Sequence, residues 1–352
     1  MRIVHFVSSL NIGGAEKLVC NLVKYQKRKG YEVDIISYGS PTDVFAIKLQ
    51  NTKIKVHYIS GSFLSRNKQV ISICRNKDIL HFHSSPVLRS LCLILPLWFF
   101  KKTIYTIHGE TNPPLAFLKL AHTLSRPFLN TITAVSLSAG KASKERFNWS
   151  PEKITVIGNG VVIPCKKALI PKREIKIRLG VVARLIELKN ISLIFSTLKN
   201  GNINYNMENI SVEIFGDGPL LEQLKSEAIA TNLNIVFHGI QPDENIIYSS
   251  IDVLLITSNT EGLPMTLIEA MANNIPVIST KVGAISSIIT NQVSGLLIDV
   301  NSSQQLETAI NYFIDNEEKI VSMTNNAQKI VRDRFSIDVI SNIYEELYTR
   351  VQ

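Results

Sequence analysis

Two carboxylates, Glu261 and Glu269, stand with seven residues between them in the run Thr260-Glu261-Gly262-Leu263-Pro264-Met265-Thr266-Leu267-Ile268-Glu269-Ala270-Met271-Ala272. An ionised carboxylate only accepts hydrogen bonds, which suits sugar or ribose hydroxyls. Gly262 frees the backbone ahead of Pro264, a residue well placed to open a helix, and Glu269 then falls about one turn inside it. The plainer reading of Glu269 is a solvent-facing helix residue. Upstream, Gly180-Val181-Val182-Ala183-Arg184-Leu185 ends a strand on Arg184, with Lys189 five residues on. A forked guanidinium beside a point-charge ammonium suits a diphosphate, although the same spacing also fits solvated surface.

Further glycine clusters follow strands. Asn11-Ile12-Gly13-Gly14-Ala15-Glu16 opens a helix and offers N–H groups to an anion; the alternative is a tight strand-to-helix turn. No third glycine completes a dinucleotide fingerprint. Gly216 and Gly218 in Phe215-Gly216-Asp217-Gly218-Pro219, and Gly239 after Phe237-His238, permit close approach of the backbone to a ligand, or simply turn the chain. In the first half, His81 and His83 share a strand face, His108 ends the next strand within Thr106-Ile107-His108-Gly109-Glu110, and Ser136 follows another. The histidines lack a third ligand at a metal-binding spacing, so no metal centre is expected. Nothing resembles a hydrolase nucleophile elbow.

Positioning these groups requires strands that end in loops. Arg2 to Val7, Glu32 to Ser37, Ile79 to Phe82, Lys102 to Ile107 and Thr131 to Val135 read as strands in the first half. Ile177 to Val182, Val212 to Phe215, Ile235 to His238, Val253 to Thr257 and Pro276 to Ser279 repeat the rhythm in the second, with helical segments between. Such alternation predicts two α/β, doubly wound Rossmann-like domains with parallel sheets, facing each other across a cleft, ligands at the carboxyl ends of the strands. The expected division is 1–165, 166–333 and a closing helix, 334–352, that packs back on the first domain. Pro164 to Lys176, without periodicity, reads as the linker.

Length and charge agree. The 352 residues suffice for two cores. Residues 1–170 carry 24 Lys and Arg against 8 Asp and Glu, and residues 171–352 carry 14 against 21, so the net +9 splits into +16 and −7. A basic half points to an anionic partner. No recognition helix, zinc spacing or stacking platform supports nucleic acid. Four dispersed cysteines suggest neither a disulfide framework nor a metal site, and imply a reducing cytoplasm. Val87 to Phe100 is too short and interrupted to span a bilayer; it reads as a buried helix, with an interfacial helix as the alternative, Trp98, the Phe pair and Lys101-Lys102 at headgroup level.

Taken together these motifs resemble the retaining glycosyltransferases of family 4, of GT-B fold, which build bacterial capsule, O-antigen and other surface polysaccharides. The resemblance spans nearly the whole chain and is most specific at Glu261 to Glu269. It implies transfer of a sugar from a nucleotide-diphosphate sugar, most commonly UDP-linked, to a saccharide or polyprenyl-diphosphate-linked acceptor, with no metal or other cofactor. Arg184 and Lys189 would grip the diphosphate and stabilise the leaving group, Glu269 would hold the ribose, and Glu261 would lie near the donor sugar. Backbone from Gly262 through Leu263 and Pro264 to Met265 would bind sugar hydroxyls and phosphate. Gly14 would close on the diphosphate, Gly216 and Gly239 would border the donor, and His108 would contact the transferred sugar. Two departures stand out: Asn190 where many relatives have glycine after the lysine, and Val162 where aspartate is frequent. The rival expectations are a GT-B-like UDP-sugar 2-epimerase and a non-catalytic sugar-nucleotide-binding protein. The expected location is the cytoplasmic face of the membrane, held peripherally by the basic half.

Overall fold

The computed structural model describes residues 1–109, 116–147, 154–164 and 176–350. Glu110, Cys165 and nearly all of the 164–176 linker fall outside the described residues. The chain forms two compact units, one of Met1–Val161 with Phe335–Gln352 and one of Val162–Arg334.

The first unit is built on a seven-stranded parallel sheet of order β3-β2-β1-β4-β5-β6-β7. Its strands are β1 (Arg2–Val7), β2 (Glu32–Ser37), β3 (Lys55–Tyr58), β4 (Ile79–Phe82), β5 (Lys102–Ile107), β6 (Thr131–Ala134) and β7 (Ile154–Val156). β1, β2 and β5 are buried at every residue but the first, as strands covered on both faces must be. Helix α1 (Gly14–Arg28) lays Leu18, Leu22 and Val23 on one face, carries Lys27 and Arg28 in its last turn, and stops before Gly30, whose φ is +86°. α2 (Val44–Gln50), α3 (Phe63–Cys74), α4 (Ser85–Ser90), α5 (Ala116–Ser125) and α6 (Leu137–Phe147) complete the crossovers.

In the second unit, β8 (Ile177–Val182), β9 (Ile210–Phe215), β10 (Asn234–Gly239), β11 (Val253–Ile256), β12 (Val277–Thr280) and β13 (Leu296–Ile298) form a parallel sheet of order β10-β9-β8-β11-β12-β13. Helices α7 (Ser192–Asn200), α8 (Leu221–Ile229), α9 (Glu244–Ser249), α10 (Met265–Ala272), α11 (Ser303–Asp315) and α12 (Glu317–Arg334) surround it. Strand order reverses between β8 and β11 here, and between β1 and β4 in the first unit. Neighbouring crossovers leave a sheet in opposite directions at such a point, which opens room for a ligand beyond the strand ends.

The last helix, α13 (Ile337–Thr349), belongs to the first unit. Ser336 caps it, accepting from the Val339 N–H at 3.4 Å, and backbone bonds between Val161 and both Phe335 and Ile337 anchor its entry. Ile337, Ile340, Tyr344 and Leu347 share one core with Leu18 and Leu22. A Cβ on Gly160 would stand 2.9 Å from Ile337 and 3.1 Å from Ile340, so the glycine is what lets α13 seat. Val162, at the departure noted above, is 54% exposed and carries none of this packing.

Val87 to Phe100 is not one buried helix. It breaks into α4, which ends at Ser90, and a short 3₁₀ turn, Leu95–Trp98, with Pro96 at the start of the turn, where its missing N–H leaves no bond unmade. Leu88, Leu91, Leu95 and Trp98 face the core, whereas Leu93, Leu97, Phe99 and Phe100 are exposed, Phe100 at 99%. Trp98 is therefore core and not an interfacial anchor. Lys101 Nζ donates to the Arg75 and Lys77 carbonyls, and Lys102 Nζ to that of Arg350, so both lysines fasten loops as well as carrying charge.

Candidate active site

The second unit gathers the charged groups at its switch point. β8 runs out into the loop that carries Arg184 and Lys189, and its neighbour β11 runs out into the loop that carries Glu261. Thr257 Oγ1 donates to the carbonyls of Lys189 and Asn190 at 3.0 Å each, and the Asn259 N–H donates to the Leu188 carbonyl at 2.8 Å. Lys189 Nζ meets Glu261 Oε1 at 2.5 Å, and Ser258 Oγ donates to the same oxygen at 2.7 Å. The ammonium is thus held in place by a carboxylate from the loop after the neighbouring strand. Arg184 is exposed, and its side chain has no hydrogen-bonding partner among the described residues.

Asn190 explains its own departure from glycine. It ends the short 3₁₀ turn Glu187–Lys189 with φ +48° and ψ +46°, a left-handed conformation that asparagine tolerates best after glycine. Its Nδ2 also donates to Asn301 Oδ1 at 2.8 Å. Asn190→Val should cost about 1–2 kcal/mol, because a β-branched residue resists positive φ, whereas Asn190→Gly should stay within about 0.5 kcal/mol. Chemical denaturation of the two variants checks this, and equal stabilities would refute it.

Pro264 is the residue just before α10, not its first helical residue: its ψ of 128° is extended, and no side chain caps the helix. The side chains of Leu263 and Met265 are buried, so the stretch from Gly262 to Met265 can offer a ligand its backbone. Gly283, at φ +54°, packs its backbone on this turn: a Cβ there would lie 1.8 Å from the Glu261 carbonyl oxygen.

Glu269 does not face solvent. It is 4% exposed, and Tyr248 Oη donates to its Oε2 at 2.8 Å. Burial, and then the Glu269 charge, push the Tyr248 hydroxyl well above its usual pKa, so the tyrosine stays a donor. Tyr248→Phe strips that bond from a buried carboxylate and should cost about 1–3 kcal/mol. A thermal midpoint equal to wild type would show the bond to be energetically empty.

Gly216 and Gly218 serve their own loops. A Cβ on Gly216, at φ +136°, would lie 1.9 Å from the Ala183 carbonyl oxygen, and one on Gly218 would lie 2.3 Å from that of Leu185. The close approach they permit is between the loops after β8 and β9, which the Leu185 N–H to Asp217 carbonyl bond joins at 2.9 Å. Gly239, at φ +64°, has open space beside it. His238 stacks on Phe215 and pairs with Glu213 at 2.7 Å.

In the first unit, Gly14 is exposed at the first turn of α1. Ser136 caps α6 by accepting from the Ala139 N–H at 3.1 Å, a structural duty. His108 lines a cavity of about 180 Å³ together with Ser8, His83, Ser84 and Thr106. Behind it lies a group that the sequence reading missed. His5 pairs in register with His81 across β1 and β4, and His5, His81 and His83 bring ring nitrogens within 4.8 Å of one another. That supplies the third histidine that sequence spacing does not reveal, yet every ring nitrogen of the three is engaged by a protein group. Hydrogen bonds account for the cluster without a cation. Part of the signal was available, since His5 stands among Ile3, Val4, Phe6 and Val7 in β1; its register with His81 came only with the fold.

Comparisons with known proteins bear on these arrangements. The family "Glycosyltransferase Family 4" matches residues 12–163, and "Glycosyl transferases group 1" matches residues 166–330. The O-antigen chain mannosyltransferase C of Escherichia coli is 24% identical over 375 residues, covering 99% of this chain and 98% of its own. The Escherichia coli UDP-Gal:alpha-D-GlcNAc-diphosphoundecaprenol alpha-1,3-galactosyltransferase is 26% identical over 295 residues, covering 77% and 76%. The crystal structure of Anabaena HepE in complex with UDP and glucose matches with a TM-score of 0.85 at 20% identity, covering 99% of this chain and 100% of that one. With two consecutive family matches running from residue 12 to residue 330, over two parallel-sheet units of GT-B type, the chain belongs to the family 4 glycosyltransferases.

Proposed function

We propose that the enzyme moves a sugar from a UDP-sugar to a saccharide carried on a polyprenyl diphosphate, with retention of anomeric configuration and without a divalent metal, in building a bacterial surface polysaccharide. The observation that carries the reading is the fastening of the Lys189 loop to the Glu261 loop, beside an exposed Arg184 that has no side-chain partner among the described residues. Two cations there can neutralise the diphosphate as its charge develops, the duty a metal ion performs in other transferases. Lys189 has three donors, so it can hold a phosphate oxygen while keeping Glu261. In the reaction the acceptor hydroxyl attacks the anomeric carbon, the bond from that carbon to the diphosphate oxygen breaks, and the hydroxyl proton passes to the departing diphosphate. Attack from the leaving-group face retains configuration without a protein nucleophile. Glu269 accepts from the ribose hydroxyls, Glu261 and the backbone from Gly262 to Met265 bind the donor sugar and phosphate, and Gly239 leaves room beside it.

The donor and acceptor classes draw on the relatives. The galactosyltransferase is named for a UDP-sugar and a diphosphoundecaprenol-linked acceptor, and HepE was crystallised with UDP. The test supplies UDP- and GDP-sugars in turn with a polyprenyl-diphosphate saccharide and a chelator present, and follows nucleotide release and the anomeric NMR signal of the product. Acceptor-dependent release from a UDP-sugar with the donor's anomeric configuration is expected. An inverted product, loss of turnover in chelator, or release only from GDP-sugars would each overturn the corresponding part.

Membrane attachment fits the exposed Leu93, Leu97, Phe99 and Phe100 on the basic first half, since among the described residues no helix is long and apolar enough to cross a bilayer. Replacing Phe99 and Phe100 together with serine should weaken binding to anionic vesicles about tenfold or more, since each ring contributes about 1.5–3 kcal/mol when buried, with the thermal midpoint unchanged. Equal vesicle binding by wild type and variant would end this assignment.

A further inference from the structure

The hydrogen bonds around the buried histidines form two chains that meet at one residue. Gln26, on α1 and fully buried, holds His5 Nε2 through its Oε1 at 2.9 Å. His5 Nδ1 faces His83 Nε2 at 2.9 Å, and His83 Nδ1 faces His108 Nε2 at 3.0 Å. On the other side, Gln26 Nε2 donates to Tyr348 Oη at a longer 3.5 Å, Tyr348 Oη meets His81 Nδ1 at 2.8 Å, and His81 Nε2 meets Thr106 Oγ1 at 2.7 Å.

A neutral imidazole has one donor nitrogen and one acceptor, so each link fixes the next. A carbonyl oxygen only accepts, hence His5 Nε2 carries its proton and Nδ1 is the acceptor. His83 must then donate from Nε2 and accept at Nδ1, and His108 must donate from Nε2. This leaves the Nδ1 lone pair of His108, which has no partner among the described residues, on a side chain that lines the 180 Å³ cavity. The second chain agrees: Tyr348 accepts from the Gln26 amide, donates to His81 Nδ1, and His81 Nε2–H goes to Thr106. All four rings hold the Nε2–H tautomer, which a free neutral imidazole also prefers. Burial lowers His5 and His108 to about 4 and holds His81 and His83 well below 6.5, so the rings are neutral near pH 7. Turning the Gln26 amide over would reverse every donor in both chains. The same cavity is lined by Ser84 Oγ, a 92% buried hydroxyl with no hydrogen-bonding partner among the described residues.

We propose that Gln26, through His5 and His83, acts as a positioning relay that sets His108 as an Nδ1 acceptor, selecting a donor sugar that presents a hydroxyl to it. The selection rests on the reading of His108 as a contact to the transferred sugar; the relay itself does not. Nitrogen-15 spectra of the histidine rings in the full-length protein test the two separately. The expected result at neutral pH is four Nε2–H tautomers, with a His108 Nδ1 resonance that moves when UDP-sugar is added. An Nδ1–H tautomer at His5, His83 or His108, or an imidazolium at His108, would overturn the relay. Matching tautomers with an unmoved His108 resonance would support the relay and remove the sugar contact. In Gln26→Met, which takes away the anchoring carbonyl at similar volume, His108 should change its ring spectrum, and the donor KM should rise about tenfold at nearly constant kcat, the loss of one hydrogen bond. A residue that only packs would lower the thermal midpoint and leave the His108 ring as it is in wild type. That outcome would overturn the proposal.

Discussion

Replacing Arg184 with alanine is expected to lower kcat/KM for the nucleotide-sugar donor by about 10²–10³-fold, the range for deleting one preorganised group aimed at developing charge. The thermal midpoint should stay within about 2 °C of wild type, because an exposed residue with no partner among the described residues contributes little to folding. This separation makes Arg184 a cleaner probe than Lys189. Truncating Lys189 leaves Glu261 Oε1 with Ser258 alone, so a loss of activity there would mix a missing phosphate contact with a carboxylate that has lost its cation. Arg184→Lys should recover part of the activity, since it restores the charge and not the two parallel donors of the guanidinium. Steady-state kinetics of the three variants, with calorimetry beside them, decide the matter. Wild-type kcat/KM in Arg184→Ala would remove the diphosphate role and leave an ordinary surface arginine.

The same contrast shows what the sequence could reveal. Strand positions followed from β-branched runs such as Ile177 to Val182, and their parallel direction from the rule that strands alternating with helices lie parallel, whereas the strand order came only with the fold. The burial of Glu269 did not follow. A glutamate among Leu267, Ile268, Ala270 and Met271 looks alike whether it faces water or a tyrosine, and Tyr248 lies on another helix, so only the fold brings the two together. Asn190 was legible only as a departure; its left-handed backbone turns it into a substitute for glycine. Gly216 and Gly218 were readable as sites of close approach, but whether a ligand or another loop approaches is decided by the neighbouring strand. Val87 to Phe100 misled for a related reason. Its hydrophobicity is shared between a core face and an exposed one, and Pro96 splits a periodicity that would otherwise have separated them. Charge counts placed the basic half without showing that Lys101 and Lys102 also bind carbonyls.

Acid should unfold the first unit well before the second. Five of the seven histidines, His5, His81, His83, His108 and His122, belong to the first unit and are held below 6.5, chiefly by burial. A histidine of the unfolded chain takes up a proton near pH 6.5, whereas His5 and His108 in the folded state do so only near 4. Their stabilising effect is therefore complete above about pH 6.5 and lost as pH falls toward 4, where the unfolded state binds more protons. At pH 5 that amounts to roughly 2 kcal/mol for each of these two rings, against a total stability of about 5–15 kcal/mol for a domain. The relay steepens the loss. A second proton on His83 would set its Nδ1–H against the Nε2–H of His108, two donors face to face at 3.0 Å with no water to separate them. The second unit has a single histidine, His238, partly exposed beside Glu213. Calorimetry between pH 7 and pH 4.5 should therefore resolve two transitions that drift apart, the one assigned to residues 1–161 by hydrogen exchange falling first. A single transition with a midpoint flat down to pH 5 would mean that the histidine row opens to water before the unit unfolds, and that burial does not hold its rings neutral.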